Sequence, residues 1–401
     1  MIAGMEAIPK TTERIERGIE AGLHPGAQVC VWRGPDCVVD CGLGHTRPPE
    51  TDQSSPVLAG NVVQEPAGRS WVAAEALTSD HLTLWLSAGK PITAVAVAKQ
   101  VEDGVIDLDD PIVEYVPEFG ERGKHNITVR HVLTHTGGFR SVVFRYPEQT
   151  WDESIEAVCS GRLETGWEVG VTAGYHPHSG WNILGRVLEI CTGQPLGEHL
   201  RGAVLEPWGM DDTWVGMPED VFERQAPRLT PVANTTGHAP QPTDMEQRGW
   251  VVGQRPGGNV YGPARDLARF YRALLGGGEL DGFRVLEPET LALFTDRHRK
   301  DTTDRTFRAV MDWGLGFMPN NARHDAANAE THPIATPYGF GPHASDVAFG
   351  HGGNQVSVGF ADPEHDLAVA VVFNGQPGEP AHQKRMHTVL AALYEDLGLA
   401  E

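Results

Sequence analysis

The spacing of apolar residues predicts three long helices, over residues 8–23, 86–103 and 382–397. In the first of them, three isoleucines and a leucine fall seven, four and four residues apart, which places them on one helix face. Pro25 and Gly26 mark its end, and the second helix stops at Gly104. The first segment is therefore expected to be an amphipathic helix.

β-Strands are predicted near both ends of the chain. Residues 27–33 and 37–41 flank the turn sequence Gly34-Pro35-Asp36, which predicts a β-hairpin. Two more strands are predicted over residues 346–360 and 367–373, separated by a polar turn at residues 362–366. Shorter helices are predicted between these strand regions, at residues 129–134, 151–159, 180–191, 196–204 and 263–275.

The order of these elements predicts an α+β fold. Strands near both ends and helices in the middle indicate one sheet built from N- and C-terminal segments, with the helices inserted as a second lobe. We therefore expect a single domain over residues 1–401. Its α/β lobe would comprise about residues 1–85 and 276–401, and its mainly helical lobe about residues 86–275.

Composition narrows the classes of function. The chain has 32 Lys and Arg against 54 Asp and Glu, a formal net charge of −22. This field repels phosphates, so we expect no nucleic-acid or membrane partner, and neutral or cationic small molecules are the more natural substrates. The oligomeric state stays open.

The cysteines and the N-terminal region bear on the cellular compartment. Five cysteines without a C-x-x-C pair indicate neither a disulfide framework nor a zinc site. Charged residues are spread through residues 1–24, so no signal peptide is predicted, and no window approaches ~18 consecutive apolar residues. A cytoplasmic protein is expected.

Two segments are predicted to be irregular. Residues 47–69 are rich in Pro and Gly and show no periodicity, which indicates a loop. Residues 318–345 are polar and precede the strand that contains His351. This second segment would either cover the mouth of a cleft or form a solvated insertion, and the pattern favours neither alternative.

The sequence Ser87-Ala88-Gly89-Lys90 is the strongest local indication of chemistry. One helical turn separates Ser87 from Lys90, so the hydroxyl and the amine would lie on the same side of the helix. A desolvated, neutral lysine could accept the serine proton and so activate a nucleophile. In the alternative interpretation, Ser87 caps the helix and Lys90 lies on the surface.

The sequence around this tetrad resembles the serine β-lactamase and penicillin-binding-protein superfamily. The similarity is to its class C-like branch, which includes the family VIII carboxylesterases. The matching blocks, in the order the family has them, are residues 84–118, 128–139, 193–216, 257–287 and 349–374. The resemblance implies an antiparallel sheet flanked by the N- and C-terminal helices, with an inserted helical lobe and the site between them.

The resemblance also implies roles for other residues. Tyr175, in the sequence Tyr175-His176-Pro177, matches the tyrosine that relays a proton in the family, whereas the usual asparagine of this element is absent. His351-Gly352-Gly353 matches the third family element. The backbone N–H groups of Ser87 and Asn354 would form the oxyanion hole, with Gly352 and Gly353 beside the substrate.

Two other kinds of active site were considered. His131 and His135 share a helical spacing, and His176 and His178 are close in sequence, but neither pair has the glutamate of H-E-x-x-H. No metal and no organic cofactor are therefore expected. The G-x-S-x-G motif of α/β-hydrolases is absent from the sequence.

We therefore expect a serine hydrolase that works through a Ser87 acyl-enzyme, with Lys90, Tyr175 and His351 as further catalytic residues. A carboxylesterase acting on small esters is the first hypothesis, because an ester needs no amide-holding asparagine. The alternatives are an acyltransferase using an alcohol or amine acceptor, a β-lactamase or D-amino-acid peptidase, and a binding protein that keeps the fold. One or two tryptophans among Trp85, Trp181 and Trp313 are candidates for an acyl pocket.

Overall fold

The computed structural model describes residues 4–48, 74–237, 239–331 and 338–400. Beyond its first two residues, the loop predicted over residues 47–69 lies outside these ranges. No helix in the described part of the chain is long and apolar enough to span a membrane.

A six-stranded sheet forms the centre of the α/β lobe, and all its neighbouring strands are antiparallel. The strands are β1 (Gly26–Arg33), β2 (Asp36–Gly44), β12 (Met318–Pro319), β13 (Phe349–Gly353), β14 (Ser357–Asp362) and β15 (Leu367–Phe373). Their order in the sheet is β12-β13-β14-β15-β1-β2. Strand β1, from the N-terminal region, thus pairs with β15, from the C-terminal region, which confirms the predicted α+β architecture.

The remaining strands are short and form small sheets. They are β3 (Thr83–Leu84), β4 (Trp214–Val215), β5 (Ala233–Asn234), β6 (Gln241–Pro242), β7 (Val260–Gly262), β8 (Glu279–Leu280), β9 (Phe283–Arg284), β10 (Arg299–Asp304), β11 (Ala309–Trp313) and β16 (Gly375–Gln376). Strand β7 lies between β3 and β4, and β3 ends shortly before the predicted nucleophile, Ser87.

In the described part of the chain, eight helices lie near their predicted positions, and four others, at residues 219–225, 248–251, 288–295 and 325–331, were not predicted. They are α1 (Pro9–Glu20), α2 (Lys90–Glu102), α3 (Val129–Leu133), α4 (Trp151–Ser160), α5 (Ser179–Thr192), α6 (Leu196–Leu200), α7 (Glu219–Gln225), α8 (Arg248–Val251), α9 (Ala264–Leu275), α10 (Pro288–Thr295), α11 (Asp325–Thr331) and α12 (Glu379–Asp396). A π-helical turn, Arg201–Leu205, continues α6. The first helix ends before its predicted limit, because Gly22 adopts a φ of +72° that an α-helix cannot continue.

Both faces of the central sheet are buried, and alternate residues of β15 pack into different apolar clusters on the two faces. Ala368 and Ala370 belong to the apolar cluster that includes α9 and the helical lobe, whereas Val369 and Val371 belong to the cluster that includes α1 and α12. A small residue is also needed where α9 crosses β14. A Cβ at Gly359 would lie 2.6 Å from the Tyr271 ring, which is too close for any larger residue without a shift. The alternation of small and larger residues along β15 therefore allows α9 to pack closely against one face of the sheet.

Helix α2 is the central helix of the helical lobe. Its residues 90–98 are all buried, so it is apolar around its whole circumference at this end. Helices α5, α6 and α10 pack against it. This position takes Lys90, the first residue of α2, out of solvent.

Two predictions about the C-terminal part were wrong. Residues 346–360 do not form one strand, because a turn at residues 354–356 divides them into the antiparallel neighbours β13 and β14. The turn is made by Gln355, which adopts a φ of +57°, and not by a glycine. The segment 318–345 is not a simple loop either, since β12 pairs with β13 and α11 follows it, while residues 332–337 lie outside the described ranges.

Candidate active site

Ser87 lies in a 3-10 turn, Leu86–Gly89, that leads directly into α2. The preceding residue, Leu86, adopts a φ of +49°, a conformation that costs a non-glycine residue energy and is concentrated at functional sites. Ser87 itself is half-buried. The turn therefore presents the hydroxyl at the end of a buried helix while leaving it partly accessible.

Lys90 contacts the Ser87 hydroxyl directly, with 2.8 Å between Nζ and Oγ. Nζ also donates to the carbonyl of Gly257. The side chain is 0 % exposed, and burial lowers the pKa of Lys90 well below its usual value. Burial thus favours the neutral amine, whose lone pair can accept a proton from Ser87. The alternative of a helix-capping serine beside a surface lysine is wrong.

Tyr175 faces Lys90 from the loop that precedes α5. The amine Nζ lies 5.3 Å from the centroid of the tyrosine ring. Burial raises the pKa of Tyr175, and the nearby Ser87 hydroxyl offsets part of that rise. Within the described part of the chain, Oη has no partner with hydrogen-bond geometry. Tyr175 therefore keeps its proton at neutral pH and has an O–H group to donate.

A buried ion pair holds the Tyr175 loop in place. The carboxylate of Asp304 accepts a hydrogen bond from the Tyr175 backbone N–H at 3.1 Å and from the Thr306 backbone N–H at 2.8 Å. Its other oxygen lies 3.1 Å from Arg299, and both charged side chains are almost fully buried. Arg299 also donates to the carbonyl of Thr134. Three backbone segments, around Thr134, Tyr175 and residues 299–306, are thus tied together behind the tyrosine, which the sequence analysis did not predict.

His351, on β13, lies close to Tyr175, with 6.0 Å between the ring centroids. Its Nδ1 is 2.7 Å from the carbonyl of Gly352, and since a carbonyl only accepts, Nδ1 carries the ring proton. Burial is the main cause that lowers the pKa of His351 to about 3. The ring is therefore neutral at physiological pH, and its Nε2 is a hydrogen-bond acceptor.

Strand β13 passes directly beside the nucleophile turn. A Cβ at Gly353 would lie 2.1 Å from the Trp85 carbonyl oxygen, so glycine is required by this close approach. Ser357, on β14, donates to the same carbonyl at 2.6 Å. At Gly352 a Cβ would meet only the Ser357 carbonyl oxygen, at 3.8 Å, so the space there is open. Asn354 follows immediately and is exposed at the start of the turn.

Buried aromatic rings underlie these groups. The His135 ring lies 4.7 Å from Tyr175 and 4.8 Å from Trp313, and the Lys90 amine lies 5.8 Å from the Trp181 ring. Trp181 and Trp313 are at most 1 % exposed, so they form the floor of the site and not an open pocket wall. His135 was weighed only as a metal ligand in the sequence analysis, and its contact with Tyr175 was not predicted.

Three of the four histidines considered for a metal accept hydrogen bonds from backbone N–H groups. Nδ1 of His131 accepts from the Thr128 backbone N–H at 3.2 Å, which completes the cap of α3. Nδ1 of His135 accepts from the His176 backbone N–H, and Nε2 of His176 accepts from the Phe139 backbone N–H, both at 3.2 Å. These contacts assign the rings a role in holding the loops around Tyr175.

A different cluster, Asp301, Asp312 and His324, brings three potential ligand atoms within 4.8 Å of one another. The carboxylate of Asp312, however, lies 2.9 Å from Arg297 and 2.8 Å from Arg323. Two guanidinium groups therefore neutralise the buried carboxylate. The arrangement is that of an ion-pair network that joins β11 to the segment before α11.

The fold and the Ser87–Lys90 geometry define a serine hydrolase of the β-lactamase/transpeptidase-like class. The chain belongs to the Beta-lactamase family, whose model matches residues 12–394. The chain is an enzyme, one of the β-lactamase-related serine hydrolases.

Similar proteins include named esterases. The chain is 27 % identical over 335 residues to Esterase/beta-lactamase LipL of Mycobacterium tuberculosis, a match that covers 74 % of this chain and 70 % of LipL. It is 27 % identical over 288 residues to Esterase EstB of Burkholderia gladioli, covering 61 % of this chain and 68 % of EstB. The crystal structure of a family VIII carboxylesterase matches with a TM-score of 0.74 and 25 % identity, covering 99 % of this chain and 98 % of that chain.

Proposed function

We propose that this protein is a carboxylesterase that forms an acyl-enzyme on Ser87. The observation that carries the proposal is the 2.8 Å contact between the Ser87 hydroxyl and a fully buried Lys90 amine. Burial favours the unprotonated amine, which can act as a general base, and the hydroxyl it activates is partly accessible to a substrate.

Acylation follows from the positions of these groups. Ser87 Oγ attacks the ester carbonyl carbon while Lys90 takes the hydroxyl proton. The N–H groups of Ser87 and Asn354 stabilise the negative charge on the carbonyl oxygen. When the C–O bond to the alcohol breaks, Tyr175 donates its proton to the leaving oxygen and regains one from Lys90. The alcohol departs and the acyl group remains on Ser87.

Deacylation repeats these steps with water. A water molecule attacks the acyl carbon and gives its proton through Tyr175 to Lys90, and Ser87 leaves after recovering a proton. Nε2 of His351 is available to accept a hydrogen bond from the attacking hydroxyl. An alcohol or amine in place of water would give acyl transfer through the same intermediate.

The charge state of the site favours an uncharged ester over a β-lactam or a peptide. Penicillins and peptidoglycan stem peptides carry a carboxylate, which a binding site stabilises with a cation. Here burial favours the neutral forms of both Lys90 and His351. The name of EstB and the structural similarity to a family VIII carboxylesterase support the same substrate class, whereas the name of LipL gives both an esterase and a β-lactamase.

The proposal is tested by comparing substrates and mapping the reactive residue. We expect turnover of p-nitrophenyl acetate and butyrate, with much slower turnover of nitrocefin and D-alanine p-nitroanilide. A fluorophosphonate probe should label one peptide, which contains Ser87. Label on another residue, or no ester turnover, would contradict the proposal. Adding methanol and following the ratio of methyl ester to acid distinguishes acyl transfer from hydrolysis.

Replacing Tyr175 by phenylalanine should lower kcat for p-nitrophenyl acetate by about 100-fold or more, since general acid–base catalysis contributes about 10² to 10⁴. The variant keeps the buried ring against Lys90 and His135, so folding should be preserved. Tyr115→Phe, which removes a hydroxyl that contacts Asp110 elsewhere in the molecule, is the matched control. Unchanged kcat in Tyr175→Phe would remove this residue from the mechanism.

A further inference from the structure

Arg385 is a buried arginine of α12 that donates to carbonyl groups. It is 5 % exposed, and its Nη atoms lie 2.7 to 2.8 Å from the carbonyl oxygens of Leu23, Gln355 and Gly375. The guanidinium carbon lies 4.1 Å from the centroid of the Phe373 ring. Burial lowers the pKa of Arg385 to about 9, so the group stays mostly charged at neutral pH. A buried charge destabilises a protein unless it is well hydrogen-bonded, so these three carbonyl groups offset the cost of burying the guanidinium.

Two histidines orient the same guanidinium. Nη1 lies 3.0 Å from Nδ1 of His24, and Nη2 lies 3.2 Å from Nδ1 of His382. A guanidinium group only donates hydrogen bonds, so both Nδ1 atoms accept and both rings are neutral. Burial and the charge of Arg385 lower the pKa of His382 to about 3 and that of His24 well below its usual value. Arg385 is therefore held by neutral acceptors in a single orientation.

One of these acceptors belongs to the turn that contains the proposed oxyanion donor. The Gln355 carbonyl is part of the peptide unit between residues 355 and 356. The N–H of that same unit, on Val356, donates to the Gly353 carbonyl at 3.1 Å. The Gly353 carbonyl in turn shares its peptide unit with the N–H of Asn354. Because peptide units are planar, Arg385 orients the first unit, and the first unit orients the second.

Further contacts hold this turn from the same side. The Gln355 side chain accepts from the Gly378 backbone N–H at 2.7 Å, and Gln376 donates to the Asn354 carbonyl at 3.2 Å. Gln355 has a φ of +57°, so the turn is not in a relaxed conformation for its sequence. Its geometry therefore depends on the groups that bind it from the segment before α12 and from α12 itself.

We propose that Arg385 is a positioning residue for the oxyanion hole, acting on the Asn354 N–H through these two peptide units. This inference rests on the proposed acyl-enzyme function of Ser87. Without the guanidinium, the Gln355 carbonyl loses its partner and the turn relaxes, so the Asn354 N–H no longer points at the developing oxyanion. Removing one oxyanion donor costs about 10² to 10³ in kcat, and we expect misalignment to cost about 10- to 100-fold.

The test compares Arg385→Met and Arg385→Lys with the wild-type chain. Lys384→Met changes the exposed neighbour on the same helix and is the matched control. Active sites are titrated with the fluorophosphonate to completion, and kcat for p-nitrophenyl acetate is expressed per titrated site. This corrects for any unfolded fraction. Binding of phenylboronic acid, which forms a tetrahedral adduct with an activated serine, reports the oxyanion hole independently of turnover.

We expect kcat per titrated site to fall about 10- to 100-fold in Arg385→Met, with KM changed less than threefold. Phenylboronic acid should bind more weakly by a similar factor, and Arg385→Lys should lie between the two. If kcat per site and boronic acid affinity both stay within twofold of wild type, the inference is wrong. Should Arg385→Met not fold, the same comparison in Arg385→Lys decides. An inactive wild-type chain would instead overturn the proposed function.

Discussion

Ser87→Ala is expected to lower kcat/KM for p-nitrophenyl acetate by about 10⁴-fold or more and to abolish fluorophosphonate labelling. The hydroxyl is the only group in this position that can form the acyl-enzyme, and deleting a serine nucleophile costs up to about 10⁶ in other serine hydrolases. Its removal leaves the Lys90 amine with the Gly257 carbonyl as partner, so the fold should be retained.

The matched control is Ser160→Ala, which removes an exposed hydroxyl at the end of α4. We expect it to react with wild-type kinetics. Melting temperatures of both variants should lie near that of the wild type, which separates loss of chemistry from loss of structure. Substantial turnover or labelling by Ser87→Ala would show that another residue is the nucleophile.

Lys90→Met and Lys90→Arg are both expected to reduce kcat/KM by about 10³- to 10⁴-fold. Methionine fills the buried space without a base, and arginine remains protonated in proteins, so neither can take the Ser87 proton. If Lys90 served only as a positive charge, arginine would restore part of the activity. Lys99→Met, on the same helix but paired with Asp103 at the surface, is the control.

The pH dependence provides a second measurement of Lys90. Burial lowers the pKa of this amine, and the form that acts as base is the unprotonated one. Activity should therefore persist at neutral pH and decline as the pH falls through the lowered pKa of Lys90. A kcat/KM that rises only near the ordinary lysine pKa of about 10.4 would contradict this assignment.

The elements with clear periodicity could be predicted from the sequence. Helices α1, α2 and α12 and the β1–β2 hairpin have regular apolar spacing or a recognisable turn. The division of residues 346–360 into two strands could not be predicted, because glycines at positions 350, 352 and 353 leave few side chains to alternate. Its turn also places a glutamine, which carries no turn signal, in the left-handed region.

The residues of the site also divide into those that could be predicted from the sequence and those that could not. Ser87 and Lys90 are one turn apart, so local geometry alone predicts their contact. Tyr175 and His351 were identified through family resemblance, because nothing local brings residues so distant in sequence together. Asp304 and Arg385 were missed, since a buried charged residue acquires its role only from the backbone groups that surround it in the folded protein.

The pairing of β1 with β15 has a consequence for biosynthesis. A ribosome releases the β1–β2 hairpin early, but the partner strand of β1 is complete only when Phe373 has emerged, and α12 follows it. Until then, Val29 and Val31 lack the cover that α1 and α12 provide together with β15. The sheet therefore forms completely only after Phe373 has been made, and a nascent chain that stops before β15 leaves one edge of β1 unpaired.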